Sequence, residues 1–173
     1  MVGLTEEGSL RLMDTTADKD NFLKLIQENK GIIIKICNSY CKNKNDREDL
    51  AQEIIYQLWK SGNQFNAEYK FSTWMYRVAL NVAISFYRKE KKTEFLIPID
   101  EVHIDIEDAP VANENSEKNI SLLQHFISEM KALDKALILL WFESKSYKEI
   151  AEILGISETN VATKISRIKD KLK

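Results

Sequence analysis

Apolar side chains in this chain recur at intervals of three and four residues, and the strict alternation of a half-buried strand is scarce. That rhythm restricts the fold to packed helices, because a helix gathers residues spaced 3 and 4 apart onto one face. It predicts helices over roughly 19–42, 47–61, 72–92, 118–131, 134–144, 147–154 and 158–172, an all-α protein.

The rhythm lapses between residues 94 and 117. This stretch holds both prolines, Pro98 and Pro110, eight acidic side chains and neither lysine nor arginine. It reads as an extended linker between two small helical domains, 13–93 and 118–173. Its 24 residues would reach about 80 Å if stretched at about 3.4 Å each. That equals about 23 base-pair steps of duplex DNA. Residues 1–18 show no convincing periodicity, and Met13 offers an internal start after twelve extra residues.

Charge makes the same division. The formal net charge of −2, taken as an average, argues against a strongly basic nucleic-acid binder. By segment the balance is −1 over 1–36, +4 over 37–93, −8 over 94–117 and +3 over 118–173. Two basic blocks flank an acidic one.

Several classes of function are excluded. No run approaches the roughly 18–20 apolar residues that cross a bilayer, and the N-terminus lacks a secretion pattern, so a cytoplasmic chain is expected. Cys37 and Cys41 sit four apart and could supply two metal ligands. The only histidines, His103 and His125, lie far away and no second cysteine pair exists. Structural thiols are expected, with no metal site and no cofactor. There is no P-loop, no nucleophile elbow and no paired His/carboxylate pattern, so neither an enzyme nor a small-molecule substrate is expected.

Helix starts carry their own signals. Asp46 with Asp49, and Ser146 with Glu149, each place an acceptor at an N-cap and a carboxylate three residues on, where exposed N–H groups favour both. Ser72 and Ser157 are further N-cap candidates, and Gly155 suits the turn that ends one helix before the next.

In the 72–92 helix, Met75, Val78, Ala79, Val82 and Phe86 make a core side. Arg77, Asn81, Ser85, Arg88 and Lys92 fall within about 80° of one another, a polar and cationic stripe about 22 Å long. Such cations can track phosphates, Asn81 can bond a base edge, and Trp74, Tyr76 and Tyr87 offer faces for unstacked bases. A solvated helix face with ordinary core aromatics would give the same stripe. Upstream, DREDLAQEIIYQLWK places Leu50, Ile54, Ile55, Leu58 and Trp59 inward and leaves Asp46, Glu48, Asp49, Gln52 and Glu53 outside. That acidic start serves capping, or the docking of a basic partner.

Taken with their spacing, DREDLAQEIIYQLW and KFSTWMYRVALNVAISFYRK resemble region 2 of bacterial sigma-70 family initiation factors, particularly the small extracytoplasmic-function (ECF) group. The resemblance implies docking of the β′ clamp of core RNA polymerase by Asp46, Glu48, Asp49, Gln52 and Glu53. It also implies recognition and opening of the −10 promoter element by the 62–70 loop, with Gly62, Asn63, Gln64, Phe65 and Lys70, and by Trp74, Arg77, Asn81, Arg88 and Lys92. Ser85 stands where many relatives have an acid. Of Phe71 and Trp74, which match family aromatics, at least one is expected to be mainly core.

In the second block, Ile120, Leu123, Phe126, Ile127 and Met130 form one apolar stripe, and Ala136, Leu137, Leu140 and Trp141 another. SYKEIAEILGISETNVATKISRIKDKLK then reads as a helix-turn-helix: a capped short helix with Ile150 and Ala151 inward, a turn at 154–156, and a second helix after Ser157. In the latter Val161, Ile165, Ile168 and Leu172 form a buried face, leaving Thr159, Asn160, Thr163, Lys164, Arg167 and Lys171 opposite. Such a helix can lie in a major groove. An ordinary helical hairpin with solubilising cations is the alternative. The segment resembles sigma region 4, which implies binding of the −35 element by Ser157 and those six residues and contact with the polymerase β flap. Thr159 and Asn160 replace a Gly-Thr pair common in relatives.

Together the resemblances imply a sigma factor that directs polymerase to promoters, with promoter DNA and core polymerase as partners. They also imply an anti-sigma protein, often membrane-bound in relatives. A stand-alone helix-turn-helix regulator and a helical adaptor are the competing readings.

Overall fold

A computed structural model describes residues 15–94 and 114–173. They form eight α-helices: α1 (Thr16–Glu28), α2 (Lys30–Tyr40), α3 (Lys44–Ser61), α4 (Phe71–Glu94), α5 (Glu114–Glu129), α6 (Ala132–Phe142), α7 (Tyr147–Leu154) and α8 (Glu158–Leu172). No strand occurs among the described residues, and the all-α expectation holds. Most of the linker and residues 1–14 lie outside them.

The first expected helix is two. α1 opens on a capping box in which the Thr15 hydroxyl accepts from the Asp18 N–H and the Asp18 carboxylate accepts from the Thr15 N–H. It ends at Asn29, whose side-chain amide donates to the Leu25 carbonyl at 2.8 Å, satisfying an orphan acceptor and letting α2 restart at once. α3 begins earlier than expected because Asn43, not Asp46, is its N-cap and accepts from the Asp46 N–H at 2.8 Å. Ser72 is likewise inside α4, whose first turn closes on the Lys70 carbonyl. α5 takes in residues 114–117, the last four expected in the linker.

The turn unit follows its sequence signals. Ser146 and Glu149 form a complete capping box on α7, Gly155 takes φ +67 at its C-terminus, and the Ser157 hydroxyl accepts from the Asn160 N–H at 3.1 Å to start α8. Only glycine enters that left-handed region without a penalty of about 1–2 kcal/mol.

Phe22, Ile36, Leu50, Ile54, Leu58 and Met75 are fully buried among α1–α4, and Leu137, Leu140, Ile150 and Ile165 among α6–α8. These are parts of one continuous cluster, because α6 and α7 pack against α2 and α4. α6 is apolar almost all round and correspondingly buried almost all round, from Ala132 to Leu140. The sequence does not predict this contact between the two helical groups.

Candidate nucleic-acid and polymerase interface

α4 presents Arg77, Asn81, Ser85, Arg88 and Lys92 to solvent on one face while Met75 and Ala79 sit buried on another and Val78, Val82 and Phe86 are half-buried. The cationic stripe predicted from spacing is therefore a real surface. Asn81 stands exposed at its centre, and a side-chain amide can both donate and accept hydrogen bonds.

The loop before α4 departs from the expectation. Asn63, Gln64 and Lys70 are exposed, but Gly62 and Phe65 are buried. Phe65 meets Phe71 at 5.3 Å and Trp74 at 5.4 Å between ring centroids, and Phe22 reaches Trp74 at 6.0 Å. These rings form an aromatic box that fixes where the loop leaves α3 and enters α4. Phe65 and Gly62 thus shape the loop rather than face a ligand. Phe71 and Trp74 are both half-buried in the same box.

Two aromatics expected to offer stacking faces also point elsewhere. Tyr76 is buried against the α6–α7 turn, beside Glu143; burial first, then the Glu143 carboxylate, pushes its pKa up to about 12. Tyr87 lies beneath Lys135 of α6, whose ammonium is 4.3 Å from its ring centre.

On α3, Glu48, Asp49, Gln52 and Glu53 are exposed, and Asp46 is half-buried beside its cap Asn43. Ile55 and Trp59, expected inside, are instead 44% and 37% exposed. Leu50, Ile54 and Leu58 already fill the inward stripe, and a stripe of that width leaves no room for two more. With Leu23 and Tyr56, 42% and 56% exposed, they line an open apolar groove between α1 and α3 that Gln52 borders. Sequence reasoning missed this groove. The signal was there in the surplus of large apolar residues on α3.

α8 behaves as predicted on both faces, apart from its end. Val161, Ile165 and Ile168 are buried, whereas Leu172 is exposed past the last packed turn. Ser157, Thr159, Asn160, Thr163, Arg167 and Lys171 are exposed and Lys164 is half-buried. The Thr163 hydroxyl donates back to the Thr159 carbonyl at 2.9 Å, and Lys169 covers Trp141 at 4.4 Å, holding that cation beside the scaffold rather than outward. The exposed N-terminal half of α8, after a short helix and a tight turn, has the geometry of a helix that enters a major groove.

Cys37 and Cys41 are buried, and burial pushes their thiols up to about 11 and about 12. They are structural thiols. Among the described residues no group of histidine, cysteine and carboxylate side chains is placed to hold a metal, and no helix is long and apolar enough to cross a membrane.

Comparison with known proteins agrees with this geometry. The family model for sigma-70 region 2 matches residues 25–93 and that for sigma-70 region 4 matches residues 120–172. The chain is similar to the ECF RNA polymerase sigma factor SigW of Bacillus subtilis, 30% identical over 169 residues, which cover 90% of this chain and 89% of SigW. It is also 30% identical over 143 residues to the sigma factor SigV of the same organism, covering 82% of each. Among solved structures, CnrH in complex with the cytosolic domain of CnrY shares the fold at a TM-score of 0.62 and 17% identity, over 89% of this chain and 86% of that one. RpoE in complex with the anti-sigma factor NepR, from Bartonella quintana, shares it at 0.59 and 18%, over 91% and 95%. With both sigma regions in order and a relative of this similarity along nearly its whole length, the chain belongs to the sigma-70 family, in its ECF group, and is a promoter-specific RNA polymerase sigma factor rather than an enzyme.

Proposed function

We propose the following division of labour within this sigma factor. α3, through Asp46, Glu48, Asp49, Gln52, Glu53 and the apolar groove beside them, docks core polymerase at its β′ clamp. The exposed part of the 62–70 loop and the α4 stripe engage the −10 element and favour its opening. α8 reads the −35 element, and its group contacts the β flap.

The observation that carries this reading is α4 itself: Arg77, Asn81, Arg88 and Lys92 are all exposed along one face of a helix whose other sides are packed. Cations along such a face bind phosphates, and capture of unpaired bases beside it favours strand separation. Polymerase supplies the catalytic chemistry. The groove supports the docking assignment, since exposed acidic side chains on the same helix as exposed apolar ones suit a partner that is both basic and amphipathic.

The docking part is tested with sigma-free core polymerase. Trp59→Ala and Asp49→Lys should each weaken core binding at least tenfold while leaving duplex −35 binding unchanged; retention of full core affinity by both would refute it. The chain's domains are assigned as 13–93 and 118–173, with the acidic linker between.

The solved relatives CnrH and RpoE are complexes with CnrY and NepR. By that likeness we assign this chain an anti-sigma partner in the cytoplasm, at the membrane when that partner is membrane-bound. Pull-down from cells before and after induction tests it: the partner should co-purify only with the uninduced chain.

A further inference from the structure

The aromatic rings of the first helical group divide into covered and uncovered ones. Trp74 is half-buried in the aromatic box, Tyr76 lies under the α6–α7 turn and Tyr87 under Lys135, so none of the three rings expected to stack on bases stands clear of the protein. Tyr56 and Trp59 are exposed, but on α3, in the groove beside α1. Tyr69 is different. At 65% it is the most exposed aromatic ring among the described residues, and none of them packs a ring or a cation against it.

The loop that carries Tyr69 is fixed at both ends. Phe65 anchors its entry in the aromatic box. At its exit the Lys70 carbonyl accepts from the Thr73 and Trp74 N–H groups, at 3.1 and 3.3 Å, and opens α4. Between these anchors residues 66–69 form a turn built on one asparagine. The Tyr69 N–H donates to the Asn66 carbonyl at 3.1 Å and the Glu68 N–H to the Asn66 side-chain oxygen at 3.0 Å, while the Asn66 amide donates to the Glu68 carboxylate at 3.2 Å. A held backbone thus presents a ring that lies in solvent. A tyrosine has only two side-chain torsions to order, so a ligand that stacks on it loses little to side-chain entropy.

The ring also stands in a particular place. Lys70, exposed, precedes Arg77 by seven residues, which at helix pitch puts it within about 20° of Arg77 and about 10 Å further along the axis. The cationic stripe therefore runs on past the start of α4, from Lys92 through Arg88, Asn81 and Arg77 to Lys70, and Tyr69 is the residue at its tip. A single strand laid along such a stripe keeps its phosphates against cations, and its bases then need a π face rather than another charge. A paired base, stacked inside the duplex, cannot use that face; an unpaired one can.

We propose that Tyr69 is the ring on which one unpaired base of the −10 element stacks, and that Asn66 is the positioning residue that holds it at the tip of the stripe. Helical spacing singles out neither residue, because both lie in the loop, where no periodicity marks a face. Stacking accepts any base, so Tyr69 favours the opened DNA without choosing its sequence, and Asn81 on α4 remains a group that can bond a base edge. The contact exists only once the base has left the duplex, so it stabilises the opened promoter and leaves duplex binding unchanged. The proposal rests on the assignment of the 62–70 loop and α4 to the −10 element.

The test uses holoenzyme assembled from sigma-free core polymerase and the full chain, on a promoter it transcribes that has been pre-melted across −10 by mismatches. Tyr69→Ala should weaken binding of this DNA about 5- to 150-fold, the range of one base–aromatic stack, while Tyr69→Phe keeps wild-type affinity. Replacing the bases of each strand one at a time by an abasic site should locate the partner: at one position the abasic site and Tyr69→Ala together should cost no more than either alone. 2-Aminopurine at that position should be quenched on binding by the wild type and Tyr69→Phe, and stay bright with Tyr69→Ala. Asn66→Ala should lose part of that quench, and Asn66→Asp, which keeps an oxygen to accept the Glu68 N–H, should restore it; an unchanged quench in Asn66→Ala overturns the positioning role. If Tyr69→Ala binds as tightly as the wild type while Arg77→Ala does not, or if its loss adds in full to every abasic site, the stack is overturned and the −10 assignment stands. A loss of core affinity in the absence of DNA would place the ring on polymerase and overturn the stack as well. If Tyr69→Ala, Arg77→Ala and Asn81→Ala all bind as the wild type does, the −10 assignment itself fails and takes the stack with it.

Discussion

α4 and α8 both turn cations to solvent, yet they are built to different constraints. α8 has one packed side, made by Val161, Ile165 and Ile168, and everything opposite is open. α4 has three faces: one toward α2 and α3, one beneath α6 and α7, and the cationic one. A helix packed along a single side, as α8 is against α6 and α7, declares its open side in its spacing. A helix packed on several sides does not, because apolar and aromatic positions that look available turn out to be claimed by a partner far along the chain.

Core truncation gives the largest effect on both sides of that comparison. Met75→Ala in α4 and Ile165→Ala in α8 should each lower stability by about 2–5 kcal/mol, read by denaturant unfolding. If the groups unfold cooperatively through their shared cluster, both changes should shift the same transition. Two separated transitions would break the claim that the packing of α6 and α7 on α2 and α4 couples them.

Next in size is the DNA contact on α8. Arg167→Ala should weaken duplex −35 binding by about 1–3 kcal/mol, or about 5- to 150-fold, without altering the melting temperature. Its salt dependence, measured by titration, should fall if Arg167 contacts a phosphate.

The turn unit sharpens the comparison at smaller scale. Gly155→Ala should cost about 1–2 kcal/mol, since φ +67 is unfavourable for a residue with a side chain. Ser146→Ala should cost about 1 kcal/mol through loss of the α7 cap. The same box holds Glu149 below the usual carboxylate range, through its backbone and side-chain hydrogen bonds to Ser146. Its contribution is therefore present above the ordinary carboxylate pKa and fades as pH falls through the lowered value. Glu149→Gln should flatten that acid-side decline in a melting-temperature profile.

These contrasts explain what the sequence made legible. The helices, the α7 capping box, the Gly155 turn, the α8 face and the α4 stripe follow from local spacing and capping, and each was readable. The break at Asn29 was not, because a side-chain amide that caps a carbonyl leaves the apolar rhythm of α1 and α2 undisturbed. The covering of Tyr76 and Tyr87 depends on α6 and its following turn, distant in sequence, and that of Phe65 on the rings of Phe71 and Trp74 across the loop, so spacing alone could not separate core from ligand face. Ile55 and Trp59 were misplaced for the converse reason: helical phase put them near the core stripe, and only the packed width of α3 shows that they remain outside.

The central claim is that α4 and α8 do different work on the promoter. It is tested most directly by assaying Asn81→Ala and Arg167→Ala side by side in core-dependent promoter opening and in duplex −35 binding. The account predicts that Asn81→Ala slows opening and spares −35 binding, whereas Arg167→Ala weakens −35 binding first. Equal losses by both variants in both assays would contradict it.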